Sequence, residues 1–488
     1  MRPVMLVQLA CWADGHLLRD SGAVQITGVY TDTRTLLSPA PAARARPHPP
    51  SAPSPKGRGD KKDATGILFV ALKGEHFDGH DHVAEAARLG ASAALVSREI
   101  DCDLPQIVVD NTEHALAKLA AKLQSLRQTR VIALTGSNGK TTVKQLTTAI
   151  LQQVGTTYHN PGNRNNQIGL PLAVIDAPED AAFAVYEMGA GQPGDIAWLA
   201  GIAPPAIALV NNIAPAHLER MHHLLGIAET KAALYDALPD DGVAIINADD
   251  AFAEFFAARV KGRKVLRFGL EASADVYARE IEHTAEGSRF VLVTPDGEAE
   301  GWLPLPGRHN LANALAAAAL ALAAGASLAM IVAGLTAAQP VKGRMFTQHL
   351  PDGAVLIDDS YNANPGSLRA AIEVLAQAHT AQEKWLILGD MRELGPEAKA
   401  LHAAAGEEAH KAGITRLFAL GPLSAAAAGA FGDNAACFDS HDALIHALRT
   451  ALTHTTPPPV MLVKGSRGSA MERIVNALLP AQEAPDVA

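Results

Sequence analysis

Short apolar runs alternate with helix-like stretches along most of this chain. Runs at 131–134, 183–186, 207–210 and 243–246 are apolar throughout, as strands covered on both faces must be. Helical stretches separate them, which predicts an α/β fold with a mainly parallel sheet over 111–341. A second series at 354–357, 384–388, 416–419 and 459–463 repeats the alternation and predicts a Rossmann-like α/β domain over 342–488. Strands at 24–30 and 66–72 mark a smaller α/β domain over 1–110. Between them, 38–64 is crowded with Pro, Ala, Arg and Lys. Such a stretch buries too little apolar surface to offset its ordering entropy, so a flexible, solvated insertion is expected.

The segment 311–341 carries no charged residue, but alanine dominates it and Gly325-Ala326-Ser327 divides it. Two buried helices are expected there, not a membrane span.

The run at 131–134 leads into Thr135-Gly136-Ser137-Asn138-Gly139-Lys140-Thr141-Thr142, and an amphipathic run follows. Strand, glycine turn, lysine, hydroxyl and helix together hold a nucleoside triphosphate. Glycines let backbone N–H groups close around phosphate, Lys140 reaches the outer phosphates, and the Thr141 hydroxyl can ligate Mg²⁺. The loop is shorter than the common P-loop, because Leu134 stands where that pattern has its first glycine.

Four further places carry chemistry. Glu187 follows a predicted strand, where a carboxylate either holds Mg²⁺ or favours a helix N-terminus. His217 follows another strand end, as a ligand or as a hydrogen-bonded surface residue. Lys231 shares a helix face with Ile227, Leu234 and Leu238. A lysine in an apolar stripe either snorkels or sits desolvated, where its neutral amine can take up CO₂ as a carbamate. His309, Asn310 and Asn313 begin the alanine-rich helix, as helix caps or as groups facing a purine. In the last domain the strand ends carry Asp358-Asp359-Ser360-Tyr361-Asn362, Gly389-Asp390-Met391-Arg392 and Lys464-Gly465-Ser466-Arg467, a polar binding edge.

Composition narrows the classes. A net charge of −10 argues against a nucleic-acid surface. Three separated cysteines make neither a disulfide framework nor a zinc spacing, which suits a reducing cytoplasm. No signal peptide is expected, since Trp12-Ala13-Asp14 interrupts the first apolar stretch.

Together these segments resemble the Mur ligase family of ATP-dependent amide-forming enzymes. The resemblance rests on Asp32-Thr33-Arg34, Phe69-Val70-Ala71-Leu72-Lys73-Gly74, the glycine loop, Asn163-Arg164-Asn165-Asn166-Gln167, Pro306-Gly307-Arg308-His309-Asn310 and the three strand-end segments above. It covers nearly the whole chain apart from 38–64, a long insertion where the family has a short connection. Asp358-Asp359-Ser360-Tyr361-Asn362-Ala363-Asn364-Pro365 is similar to the branch that adds D-alanyl-D-alanine, while the Asp-Asn-Pro-Arg segment of the amino-acid-adding branch is absent.

The resemblance implies three domains: 1–110 for a UDP-linked muramoyl-tripeptide, 111–341 for ATP, and 342–488 for the incoming dipeptide. It implies ATP and two Mg²⁺, one on Thr141 and Glu187, the other on His217 and a carbamylated Lys231. His309, Asn310 and Asn313 would lie near the adenine, with Arg344 and Asp359 reaching the nucleotide from the last domain. Thr33, Arg34, Lys73, Asn163 and Asn166 would serve the UDP-linked substrate, and Asn362, Asn364, Lys464 and Arg467 the substrate side of the last domain. A cytoplasmic monomer with small-molecule substrates, no membrane and no nucleic acid is the resulting expectation. The segment 339–344 is the expected hinge. Another Mur ligase or a folylpolyglutamate synthase is the neighbouring alternative, and a P-loop NTPase switch the alternative from a different class.

Overall fold

The computed structural model describes residues 1–19, 24–36, 65–215, 218–260, 262–284, 286–377 and 382–480. The expected insertion at 38–64 and His217 therefore lie outside the described residues. Three sheets organise the rest, as the α/β pattern requires. Two compact units account for the chain. One takes Met1–Arg130, Tyr158–Ala184 and Gly201–Pro204; the other takes Val131–Thr157, Val185–Ala200 and Pro205–Ala488.

The N-terminal sheet runs Val4–Met5, Gln25–Tyr30, Thr65–Val70, Ala93–Val96, Gln106–Val108 and His16–Leu18. Its four inner strands are parallel and its two edges antiparallel.

The central sheet has nine strands in the order Gly297–Leu303, Ser288–Thr294, Val276–His283, Lys264–Gly269, Val243–Asn247, Ile207–Val210, Arg130–Thr135, Phe183–Glu187 and Thr157–His159. From Arg130–Thr135 through Val276–His283 the recorded pairings are parallel. Leu134 pairs with Leu209 and Thr135 with Val210, which sets the two strand ends side by side. The last two strands form an antiparallel meander that strand-run reading did not predict. Ser288–Thr294 alternates buried and more exposed residues, the mark of a sheet wet on one face.

The C-terminal sheet runs Phe346–His349, Val355–Asp359, Val460–Lys464, Lys384–Gly389, Arg416–Leu420 and Ala435–Phe438, antiparallel only at its first edge. Lys384–Gly389 shows why its run is apolar throughout. Leu386 and Leu388 enter one core with Leu368, Ile372 and Leu375, while Trp385 and Ile387 enter the other with Leu444 and Leu448.

The uncharged segment forms the helices Arg308–Ala323 and Leu328–Thr336, the second capped by the Ser327 hydroxyl. No helix of the described residues is long and apolar enough to cross a membrane. Ala314 and Ala316 to Ala319 are fully buried. Gly334 makes a closer approach still: a Cβ there would lie 2.6 Å from the Ile150 Cα, in the helix that follows the glycine loop. Gly334→Val is expected to destabilise the fold by about 1–3 kcal/mol through overpacking, read as a lowered denaturant midpoint. An unchanged midpoint would show that this approach is not tight.

Candidate active site

The glycine loop joins the strand Arg130–Thr135 to the helix Lys140–Leu151. Gly139 precedes the helix at φ +78°, where a side chain would be strained. Space is also denied: a Cβ would lie 2.2 Å from Asn313 Oδ1 and 2.7 Å from Asn211 Nδ2. The loop is pinned from the neighbouring strand end. Ser137 N donates to Asn212 O at 2.9 Å, Asn138 N to Asn212 Oδ1 at 2.8 Å, and Asn211 Nδ2 to Asn138 O at 3.0 Å. Ser137 Oγ donates to Ala214 O and accepts from Ala214 N, both at 2.9 Å. Lys140 Nζ spans the turn, donating to Gly136 O at 2.7 Å and Ser137 O at 3.3 Å. Thr142 is half-buried in the first turn of the helix.

Glu187 ends its strand almost fully buried, at 3% exposure. Thr141 Oγ1 donates to its Oε2 at 2.8 Å, and Lys144 Nζ lies 3.3 Å from the same oxygen. Burial pushes this carboxyl up, but Lys144, Lys140, Arg344 and the Thr141 hydrogen bond outweigh it and hold it below its ordinary value. Desolvation lowers Lys140 and Lys144 in turn, against the pull of Glu187.

Lys231 is buried at 2% exposure, and its amine makes no hydrogen bond or ion pair among the described residues. Desolvation first, and Lys140 second, push its amine well below the ordinary lysine value; Asp195 acts the other way. The snorkelling alternative is not what the helix shows. Asp195 is itself buried and accepts from Gly191 N at 2.8 Å and Gln192 N at 3.0 Å.

At the start of the alanine-rich helix Asn310 and Asn313 are buried. Asn310 Nδ2 donates to Pro306 O at 2.8 Å, while Asn313 Oδ1 accepts from Asn211 Nδ2 at 3.0 Å. Burial lowers His309 to about 4, with Asp359 opposing and Lys464 assisting.

The C-terminal strand ends gather as the topology requires. Lys464, buried, pairs with Asp359 and donates to Asn362 O at 3.1 Å. Asp358 accepts from Ser360 Oγ at 2.6 Å and from Gly343 N at 3.0 Å, which fixes the turn Val341–Arg344 in the expected hinge. The Arg344 guanidinium lies 4.3 Å from the Tyr361 ring centroid and that of Arg467 5.9 Å. Asn362 Oδ1 accepts from Arg467 N at 3.4 Å. Asn364 caps the helix Pro365–Ala376.

Five expected substrate residues fall in the other compact unit. Thr33 Oγ1 reaches Glu85 Oε2 at 3.4 Å, and exposed Arg34 is engaged two-fold by Asp32. Lys73 is exposed beside a bridge to Asp78; Asn163 is exposed, and Asn166 Oδ1 accepts from Gly169 N at 2.8 Å.

Sequence reasoning missed Lys144, Asn211, Asn212 and Asp195. Lys144 carried a usable signal: one turn beyond Lys140, it shares the buried helix face with Thr147 and Leu151.

Family models match the chain in three stretches. They are described as Mur ligase family, catalytic domain (63–124), Mur ligase middle domain (134–321) and Mur ligase, glutamate ligase domain (343–467). The UDP-N-acetylmuramoyl-tripeptide–D-alanyl-D-alanine ligase of Escherichia coli (strain K12) is 45% identical over 419 residues, covering 86% of this chain and 92% of that protein. The chain belongs to the Mur ligase family. A second such ligase, from Haemophilus influenzae, is 38% identical over 97% of both chains. Among solved structures, MurF from Acinetobacter baumannii superposes with a TM-score of 0.87 at 34% identity, covering 98% of this chain and 99% of that one. The MurF ligase from Thermotoga maritima in complex with ADP gives 0.76 at 28% identity, covering 85% and 94%. This Mur ligase thus shares its α/β architecture with solved MurF chains across nearly its full length.

Two outcomes follow from the geometry. Gly139→Ala is expected to weaken ADP binding at least about tenfold, since left-handed strain alone costs roughly 1–2 kcal/mol and the amide cage adds a clash. Calorimetric titration reads this, and wild-type affinity would contradict it. His309 titrates at about 4 folded against 6.5 ordinarily, so the unfolded chain binds more protons between those values. Its stabilising share is complete above pH 6.5 and is lost as pH falls through about 4. A His309→Asn variant should lose less thermal stability across that window than the parent, and equal losses would contradict the assignment.

Proposed function

We infer that this Mur ligase is an ATP-dependent enzyme that adds D-alanyl-D-alanine to UDP-N-acetylmuramoyl-tripeptide, in the synthesis of peptidoglycan precursors. The observation that carries the reading is the 45% identity to the Escherichia coli ligase of that name across 92% of its length.

The chemistry starts from an unreactive carboxylate, whose oxide does not leave. Transfer of the γ-phosphoryl of ATP to the tripeptide's terminal carboxylate makes an acyl phosphate. The dipeptide amine attacks its carbonyl carbon, the C–O bond to phosphate breaks, and the amine proton is given up. ADP and phosphate are the by-products. Two anions meet in the first step, so cationic charge at the phosphates dominates catalysis. Lys140 at the loop would supply it directly, and Arg344 from the third domain would add to it. Alignment of the three substrates would contribute up to ~7–11 kcal/mol.

The donor set fits Mg²⁺. Thr141 Oγ1 and Glu187 Oε2, 2.8 Å apart beside the loop, are hard oxygen donors, and phosphate and water oxygens complete such shells. When bound, the ion would neutralise charge on the transferring phosphoryl group. Lys231 fits a carbamate: its amine is buried and without a hydrogen-bond partner among the described residues. Attack on CO₂ forms an N–C bond and releases a proton, giving an anionic oxygen ligand for a second Mg²⁺, with His217 as the expected companion.

The reading assigns 1–110 to the UDP-linked substrate, with Thr33, Arg34, Lys73, Asn163 and Asn166 as its contacts. It assigns 111–341 to ATP, with His309, Asn310 and Asn313 at the adenine, and 342–488 to the dipeptide, with Asn362, Asn364, Lys464 and Arg467 as contacts. Asp359 would reach the nucleotide. A cytoplasmic monomer completes it.

Mass spectrometry of a reaction with ATP, Mg²⁺, UDP-N-acetylmuramoyl-tripeptide and D-alanyl-D-alanine should show the joined product and stoichiometric ADP. Product without nucleotide consumption, or no product, would overturn the assignment. Lys231→Ala should abolish ligation while leaving thermal unfolding intact, and ¹³C-bicarbonate should give a carbamate signal only in the parent. Full activity in the variant would remove the carbamate.

A further inference from the structure

The phosphate loop is held from the third domain as well as from its own. Asn364 stands at the N-terminus of the helix Pro365–Ala376. Its Oδ1 accepts from Ser367 N at 2.9 Å, and Ser367 Oγ accepts from Asn364 N at 3.0 Å, which completes a capping box. The Asn364 Nδ2 group, which capping does not use, donates to Asn138 Oδ1 in the glycine loop at 2.7 Å. Gly366 brings the first turn of the same helix against the loop. A Cβ there would lie 3.3 Å from Asn138 Nδ2 and 3.5 Å from the Ala214 Cβ.

Asn138 is fixed on its other side too. Its N–H donates to Asn212 Oδ1, and its carbonyl accepts from Asn211 Nδ2 and, at 3.2 Å, from Asn212 Nδ2. Asn211 Nδ2 also reaches Asn313 Oδ1. A line of amides therefore runs from Asn313, through Asn211 and Asn138, to Asn364.

We propose that Asn364 is a positioning residue for phosphoryl transfer: its hydrogen bond to Asn138 sets the phosphate loop from the dipeptide-binding domain. The proposal rests on the ligase reading above. Residue type carries the argument. Asp, Ser and Thr cap helices about as well as Asn does, so capping alone does not call for an amide. Asp would also set a carboxylate beside a loop built for a polyanion. Asn offers an acceptor to the cap and a donor to the loop at once.

The test uses the full chain with ATP, Mg²⁺, UDP-N-acetylmuramoyl-tripeptide and D-alanyl-D-alanine. Asn364→Ser and Asn364→Thr keep the cap and remove the amide donor. Each is expected to lower kcat about tenfold, the worth of one well-placed hydrogen bond, with the KM of the UDP-linked substrate and the thermal midpoint unchanged. Asn138→Ala should show a similar loss, and Asn138→Ala with Asn364→Ser no further one. Wild-type kcat in both Asn364 variants, or losses that multiply in the double variant, would overturn the proposal. So would a lowered midpoint with all three KM values shifted, which marks a purely structural cap. Absence of product from the unaltered enzyme would instead sink the ligase reading, so the two failures are distinguishable.

Discussion

One buried carboxylate among several cations governs this site. Glu187 is pulled towards its charged form by Lys144, Lys140 and Arg344, which together outnumber it. A surplus of desolvated positive charge is costly in a protein interior unless an anion comes to share it. Hydrogen bonds from Lys140 Nζ to Gly136 O and Ser137 O spread part of that charge over the loop's carbonyls. The same balance reaches Lys231, whose amine Lys140 pushes further from its charged form. Burial and neighbouring charge thus press both Lys140 and Lys231 below the ordinary lysine value, Lys231 much the further.

Backbone geometry makes that arrangement precise enough to use. Gly139 is enclosed by Asn211 and Asn313, so the loop cannot relax outward without losing amide contacts. The enclosing residues come from a parallel neighbour strand and from the alanine-rich helix. Pairing of Thr135 with Val210 sets Asn211 level with Gly136, whose added Cβ would lie 3.0 Å from the Asn211 Cβ. Sheet register, and not loop sequence alone, is what shapes the cradle.

Legibility followed the same physics. Strands buried on both faces, such as Ile207–Val210 and Lys384–Gly389, were plain in the sequence because burial leaves no polar alternation. The meander over Val276–Leu303 was not, since one wet face breaks up the apolar run. Lys140, Thr141 and Glu187 were readable from motif and position, and they do meet. Lys144 escaped because a lysine in a helix reads as solvated until its face is counted. Asn211 and Asn212 look like plain loop residues in the sequence, for their task is set by a partner strand distant in sequence. Lys231 was the reverse case, singled out by its stripe and then found buried.

Two guanidinium groups meet one ring beside the C-terminal sheet, and that arrangement has a physical logic. Arg344 and Arg467 both lie against Tyr361, whose negative π face attracts each cation and offsets their mutual repulsion. Arg344 acts on the charges at the phosphate loop, while Arg467 extends from the strand end that carries Lys464. A flat aromatic anchor lets two like charges stay close while they face different groups. Arg467 also pairs with Glu472 at 3.1 Å, so its charge is shared on a second side. Packing on Tyr361 thereby ties the turn Val341–Arg344 to the strand end that carries Lys464, while the Arg344 charge still acts on Glu187.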